Sequence, residues 1–224
     1  MDFENLNIEK GINLFQNDAL IIVDMQNDFM PGGSLPVEEG DQIVGGINSI
    51  AELFRKKKAS IILTQDWHPK EHLSFASNHP GMHPGDEYQT GAIGPILWPD
   101  HCVQNTHGSK FHEDLKKEHA NAIIRKGYHP EIDSYSGFVE NDKKSETGLA
   151  GYLKSLKTKR IFICGLALDY CCFATAMDGV DFGFKVYFIL DLTKGIDLPT
   201  GNIANALESM VNKGIVFVLK ESFT

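Results

Sequence analysis

The chain has little cysteine, no long apolar run and no concentration of basic charge, and each shortage removes a class of function. Its four cysteines, Cys102, Cys164, Cys171 and Cys172, contain no C-x-x-C pair and show no framework spacing. That argues against a zinc ribbon or a disulfide scaffold and for free thiols in a reducing compartment. No apolar stretch approaches the roughly 20 residues that span a bilayer, and the opening "MDFENLNIEKGINLFQND" lacks the apolar stretch of a secretory signal. The expected location is therefore the cytoplasm. Lys plus Arg total 21 against 30 Asp plus Glu, a net charge of -9, and "RKKK" at residues 55–58 is an isolated cluster. Nucleic acid and anionic membrane are therefore not the expected partners.

What is present is an alternation. Apolar runs ending in polar residues, "ALIIVD" (19–24), "SIILTQD" (60–66), "NAIIR" (121–125), "RIFICG" (160–165), "KVYFILD" (185–191) and "GIVFVL" (214–219), read as six strands. Between them, Ile43, Ile47, Ile50 and Phe54 recur at helical spacing within residues 42–54. Leu149, Leu153 and Leu156 do the same within residues 146–157, as do Phe173, Ala176, Met177 and Val180, and residues 202–211 form a further helical pattern. Continuous apolar strands alternating with helices specify an α/β protein, three layers of α/β/α around a mostly parallel six-stranded sheet. At 224 residues and 42% hydrophobic content, a single domain is expected. Residues 67–119 interrupt the alternation with a long Gly-, Pro- and His-rich segment, and a loop of that length in a compact domain is usually functional.

Open parallel sheets bind ligands beyond the carboxyl ends of their strands. There the sequence places Asp24 after the first strand, Asp66 and His68 after the second, Lys126 after the third and Cys171 after the fourth. A cysteine in the first turn of a helix, with Asp169 before it as N-cap, is expected to have a lowered pKa and to act as nucleophile. Alone, adjacent cysteines are more often core residues. The neighbouring acid and amine favour a catalytic role for Cys171, with Cys172 packing. Asp24 would take the thiol proton, and Lys126 would hold Asp24 ionised. Asp66 and His68, two apart in extended chain, face one way and can share an ion. Of nine histidines, five fall between His68 and His101, with His72, His79 and His83 between them. Imidazole plus carboxylate suits zinc, iron or manganese. His107, His112, His119 and His129 are read as surface or core residues.

These residues resemble the nicotinamidase/pyrazinamidase family of isochorismatase-like cysteine hydrolases. The matching stretches are "ALIIVDMQNDFMPGGSLPV", "ILTQDWHP…SFASNHPG", "WPDHCVQNTHGS", "IIRKGYHPEIDSYSGF" and "ICGLALDYCCFATAMD", in the family's order from residue 19 to about 191. The resemblance implies a triad of Asp24, Lys126 and Cys171. It implies metal ligands Asp66, His68 and His101 for one divalent cation, zinc ahead of iron or manganese, with His72 or His83 as a further ligand in some relatives. It implies a non-proline cis peptide before Ala167, an oxyanion hole from the backbone N–H groups of Ala167 and Cys171, and an aromatic wall of Phe29 and Trp98 with Tyr135 nearby. Tyr170 and Cys172 stand where relatives often carry other residues. The implied reaction is deamidation of nicotinamide to nicotinate and ammonia, in NAD salvage, with pyrazinamide as a second substrate. The competing readings are another amidase of the superfamily, such as an N-carbamoyl amide hydrolase, or a non-catalytic metal-binding relative. An isochorismatase is disfavoured by Cys171. The expected partition is an N-terminal surface extension of residues 1–18 and a single hydrolase domain of residues 19–224. The expected partner is a small molecule, and no interface signature specifies or excludes a homo-oligomer.

Overall fold

The computed structural model describes residues 6–224; the part of the N-terminal extension at residues 1–5 lies outside the described residues. Six strands form one parallel sheet: β1 (Asp18–Val23), β2 (Ser60–Asp66), β3 (Ala122–Lys126), β4 (Arg160–Leu166), β5 (Lys185–Lys194) and β6 (Val216–Val218). Their order is β3-β2-β1-β4-β5-β6, and every pairing is parallel. The chain builds leftward from β1 and then restarts rightward at β4. The switch in direction falls between β1 and β4, and it opens a crevice beyond their carboxyl ends.

Four helices cover the sheet: α1 (Val44–Lys56), α2 (Leu149–Ser155), α3 (Phe173–Asp181) and α4 (Asn202–Lys213). Because strand side chains alternate, β1 feeds two cores. Leu20 and Ile22 join Ile47, Ile50 and Phe54 of α1, while Ala19, Ile21 and Val23 join Leu149, Leu153, Ala176 and Met210 of α2, α3 and α4. Three fully buried side chains on α1 contribute about 1.5–3 kcal/mol each through removal of apolar surface from water. The result is the three-layer architecture that the alternation implies. Among the described residues, no helix is long and apolar enough to cross a membrane.

The elements differ from their expected bounds where local chemistry intervenes. Residues 40–43 form a 3-10 turn, so α1 starts at Val44 rather than at residue 42. Strand β3 includes Lys126 as its last residue, paired with Asp66 of β2. Strand β5 runs on to Lys194, past the expected residue 191, after a register irregularity against β4. Helix α2 is shorter than the expected 146–157, and Leu156 lies exposed beyond it. On α3 the buried positions are Thr175, Ala176, Asp178 and Gly179, whereas Phe173, Met177 and Val180 are half-buried. The helix lies too close to the sheet for large side chains: a Cβ on Gly179 would come within 2.7 Å of Ile161 and 3.1 Å of Val186. Before β1 the chain lies along the far edge of the molecule, with Ile8 bridged to Phe217 and Ile12 to Phe223, and with Ile12 and Leu14 buried in the core.

Candidate active site

Asp24 follows β1 directly, fully buried, with φ +46°. A left-handed backbone at a non-glycine residue is uncommon, and such positions gather at functional sites. Its Oδ1 accepts a hydrogen bond from Thr64 Oγ1 at 2.6 Å, and its N–H donates to the same hydroxyl at 3.2 Å. Gly165 of β4 lies so close to Val23 that a Cβ there would collide with the Val23 backbone. That approach brings the ends of β1 and β4 together, and with them Asp24 and the segment carrying Cys171.

Lys126 is the hub. It is fully buried, an expensive place for an ammonium unless it is paired. Its Nζ lies 2.9 Å from Asp24 Oδ2, donates to Asp66 Oδ1, donates to the Ser134 carbonyl at 3.1 Å and donates to Cys171 Sγ at 3.4 Å. Burial works against its charge, but the two carboxylates outweigh that cost and hold the ammonium well above the ordinary lysine range. Asp66 shows the same balance in reverse: burial opposes its charge, and Lys126 with His68 keeps it below the usual carboxylate value. Asp24 is raised by burial and by Asp66, with Lys126 opposing. A carboxylate so placed is a better proton acceptor than an exposed one.

Residues 168–172 form a π-helical turn between β4 and α3, so Cys171 does not sit in the first turn of an α-helix. Asp169 does not cap it. Its carboxylate instead accepts the N–H groups of Ile196 and Asp197 at 2.9 Å each and the Asn202 side chain at 3.0 Å, tying the loop after β5 to the turn. The expected lowering of the thiol pKa is also reversed. Burial pushes Cys171 well up, Lys126 pulls it down, and Asp24 and Asp66 push it up again. A thiol so placed stays protonated unless a neighbouring base takes the proton. Oxygens of Asp24 and Asp66 and the Cys171 sulfur all lie within 4.8 Å of one another. Cys172 is fully buried and packs in the core.

At the other end of the same cavity stand Asp66, His68 and His101, whose ligand atoms also lie within 4.8 Å of one another. His68 Nδ1–H donates to the Gly127 carbonyl at 2.8 Å, and His101 Nδ1–H donates to Pro99 at 2.8 Å. Those bonds fix both tautomers and leave Nε2 for a ligand, the arrangement typical of metal-binding imidazoles. Gly127, at φ +67°, is needed here: a Cβ would strike the His68 ring. Burial, then His68, lowers His101 to about 4, so it stays neutral as a ligand must. This donor set fits a divalent cation of the zinc type. The His72 ring lies 4.4 Å from that of His68, tilted by 56°, but its Nδ1 accepts from Ser74 Oγ at 2.7 Å and its Nε2 donates to Ile132 at 3.1 Å, so neither nitrogen is free. His83 is exposed beside Asp86.

The cavity, about 360 Å³ of space counting its solvent-open mouth, is lined by Phe29, Trp98, Tyr135, Ala167 and Cys171 together with the metal-end residues. Trp98 Nε1 donates to Tyr135 Oη at 3.0 Å, which locks two walls together. The Leu166–Ala167 peptide is cis. The structure thus brings Asp66, His68, His101, Phe29, Trp98, Tyr135, Ala167 and Cys171 to one cavity, with Asp24 and Lys126 buried behind the thiol, whereas His83 lies elsewhere on the surface. It adds Leu35, Ile196, Asp133 and Ser134, which carry no sequence signal because they come from loops without periodicity, and it makes Tyr170 a wall residue packed edge-on to Trp98 at 4.9 Å.

Comparison with known proteins decides the family. Residues 18–222 match the isochorismatase domain. The chain belongs to the isochorismatase family. Among its relatives, the nicotinamidase of Acinetobacter baylyi is 45% identical over 208 residues, covering 93% of this chain and 95% of the relative. PnC1 from L. infantum, solved in complex with nicotinate, superposes with a TM-score of 0.83 at 38% identity, covering 96% of this chain and 98% of that one. The pyrazinamidase of Pyrococcus horikoshii, solved in complex with zinc, gives 0.75 at 43% identity, covering 91% and 99%. In this family member, then, a six-stranded parallel sheet and four helices carry a buried acid, amine and thiol beside a carboxylate–imidazole cluster.

Proposed function

We propose that this member of the isochorismatase family is an amidohydrolase that converts nicotinamide to nicotinate and ammonia. The observation that carries the reading is the buried Lys126 ammonium, which touches Asp24, Asp66 and the Cys171 sulfur at the floor of one aromatic-walled cavity. The 45% identical A. baylyi relative, a nicotinamidase, and the nicotinate held by the L. infantum protein support the choice of substrate. Catalysis is assigned to the domain of residues 19–224, with residues 1–18 as an extension to it, and to the cytoplasm.

The pyridine ring would lie against Phe29 and Trp98, with Tyr135 closing the edge. Asp66, His68 and His101 would hold one divalent cation, with zinc the first choice on the P. horikoshii precedent. Such a cation supplies a Lewis-acid anchor for the ring nitrogen, either directly or through water. Orientation of this kind is worth several kcal/mol of barrier. Asp24 takes the thiol proton, and the Cys171 sulfur bonds to the amide carbon. The N–H groups of Ala167 and Cys171 would receive the resulting oxyanion, each donor worth about 3–4 kcal/mol. As the C–N bond breaks, Asp24 returns the proton to the leaving nitrogen and ammonia departs, leaving a thioester on Cys171. Asp24 then deprotonates a water, hydroxide adds to the thioester carbon, and the sulfur leaves and recovers its proton from Asp24. Throughout, Lys126 keeps the adjacent negative charges compensated. Pyrazinamide, which keeps a ring nitrogen meta to the amide, fits the same scheme.

Ammonia release from nicotinamide by the zinc-loaded protein tests the reading. Turnover of nicotinamide is expected. Turnover of an N-carbamoyl amide in its place would move the chain to the sister amidase activity, and no turnover of either would leave a metal-binding relative without catalysis.

A further inference from the structure

Asp133 is a cavity-lining acid that the scheme above leaves without a role. It lies in the loop of residues 127–134, which wraps the metal end of the site. The Gly127 carbonyl holds His68, the Ile132 carbonyl holds His72, and the Ser134 carbonyl holds Lys126. The Asp133 backbone is tied on both sides, its N–H donating to Ala92 at 3.2 Å and its carbonyl accepting from Asn141 at 2.9 Å. The side chain therefore has a fixed direction, into the cavity that also contains Asp66, His68 and His101.

Its two oxygens differ. Oδ1 accepts the N–H of Ser134 at 2.9 Å. Oδ2 has no hydrogen-bond partner, although the residue is only 2% exposed. A buried acceptor left alone costs about 1–3 kcal/mol, and more for a charged group, so a donor is missing. Most neighbouring protein donors are engaged. The Nδ1–H groups of His68 and His101 and the Nε2–H of His72 go to backbone carbonyls, and the Tyr135 hydroxyl, although close enough to bear on the Asp133 carboxyl, donates to Gly94 at 3.3 Å. The Ser134 hydroxyl lies beside Glu140 and is itself without a partner. The substrate does not supply the donor either. The N–H groups of nicotinamide are on the carboxamide, which belongs at Cys171, and its pyridine ring edge carries none.

Among the described residues, the donor atoms that lie within 4.8 Å of one another at this end are those of Asp66, His68 and His101, and Asp133 is not in that set. It is thus set back from direct ligation while facing the same space. We propose that Asp133 is a positioning residue whose Oδ2 accepts a hydrogen bond from a water held by the cation at Asp66, His68 and His101. It would fix the orientation of that water and add a second negative charge beside a divalent ion. Partners that hold a ligand in this way typically contribute 10–100-fold to metal affinity. The inference rests on the metal assignment made above.

The test is zinc affinity of the full-length, metal-stripped protein, measured by competition with a chelator. Asp133→Ala is expected to weaken zinc binding about 10–100-fold. Asp133→Asn, which keeps an acceptor oxygen, should bind more tightly than the alanine variant. Melting of the metal-free variants reports folding separately. If the alanine variant does not fold, wild type against Asp133→Asn carries the test, with at least about threefold weaker binding expected from the lost charge. Equal affinity of wild type and folded Asp133→Ala, or of wild type and Asp133→Asn where only that variant folds, overturns this inference alone. Failure of the wild type to bind zinc overturns it together with the metal assignment, whereas loss of nicotinamide turnover with zinc binding intact touches only the proposed reaction.

Discussion

The two ends of the cavity hold their groups in different ways. At the thiol end, Asp24, Lys126 and Cys171 sit at the ends of β1 and β3 and just past β4, and charge compensation inside the protein keeps them there. At the metal end, His68 and His101 are oriented by backbone carbonyls, and His101 arrives from a long loop rather than a strand. The thiol end is complete by itself: its one ammonium faces two carboxylates. The metal end presents two imidazoles and a carboxylate, a donor set that a cation completes. Asp66 belongs to both, since one oxygen takes Lys126 and the other lies 3.7 Å from His68 Nε2. Chemistry and positioning are separable in this architecture because a single carboxylate joins them.

The largest effect should separate the two ends. Cys171→Ala is expected to lower kcat at least about 1000-fold while zinc content stays at the wild-type level. His101→Ala should do the reverse, emptying the metal site and raising KM, with the thiol still reactive toward alkylating reagents. If Cys171→Ala keeps near-normal turnover, attack comes from metal-bound hydroxide and the division of labour fails. Next in size is Lys126→Met, which leaves Asp24 and Asp66 buried against each other without their cation. A loss of roughly 3–5 kcal/mol in urea unfolding is expected, and both ends should suffer together. A change under 1 kcal/mol would mean that the ammonium is not what holds the ends in register.

The pH dependence of the metal-free protein sharpens the contrast, because two depressed histidines lie at the metal end, beside His68, which Asp66 holds above the ordinary value against burial. Burial, then His68, lowers His72 to about 3 and His101 to about 4, against an ordinary 6.5. A histidine depressed on folding binds its proton less readily when folded than when unfolded. Its contribution is fully present above pH 6.5 and is lost as the pH falls toward 4. The expected loss is on the order of 3 kcal/mol for His101 between neutral pH and pH 4. Urea unfolding at pH 7 and 4.5 measures it, and His72→Gln should give a flatter profile than the wild type. The smallest effect belongs to the wall. Tyr135→Phe removes the acceptor for Trp98 Nε1, at a cost of about 1 kcal/mol, and should raise KM a few-fold with kcat nearly unchanged.

Much of this was legible in the chain. Strand β2 occupies residues 60–66 as its apolar run indicates, and Asp66 and Lys126 end their strands while Asp24 follows its own, because a parallel sheet must stop where buried backbone meets the ligand crevice. The sequence pattern was less informative about the turn at residues 168–172. Its residues suit an α-helix, and the π-helical form arises from docking against β4 and the loop that Asp169 ties down. The direction of the thiol pKa was missed for the same reason: a helix-start argument sees local dipoles, whereas burial, here the largest influence, is tertiary.

By itself the sequence determined the three layers, the strand ends and the chemical types gathered there, because apolar periodicity and residue identity are local properties. Only the tertiary structure decided that Lys126 touches both carboxylates and the sulfur, that His72 is engaged by Ser74 and Ile132 while His101 is left available, and that Asp133 faces the cavity with an oxygen unpaired. Apart from the local His72–Ser74 bond, the hydrogen bonds among these groups join segments 45–60 residues apart in the chain, brought together by how the strands are ordered in the sheet. In a buried site the meaning of a charge depends on what stands within a few ångströms of it.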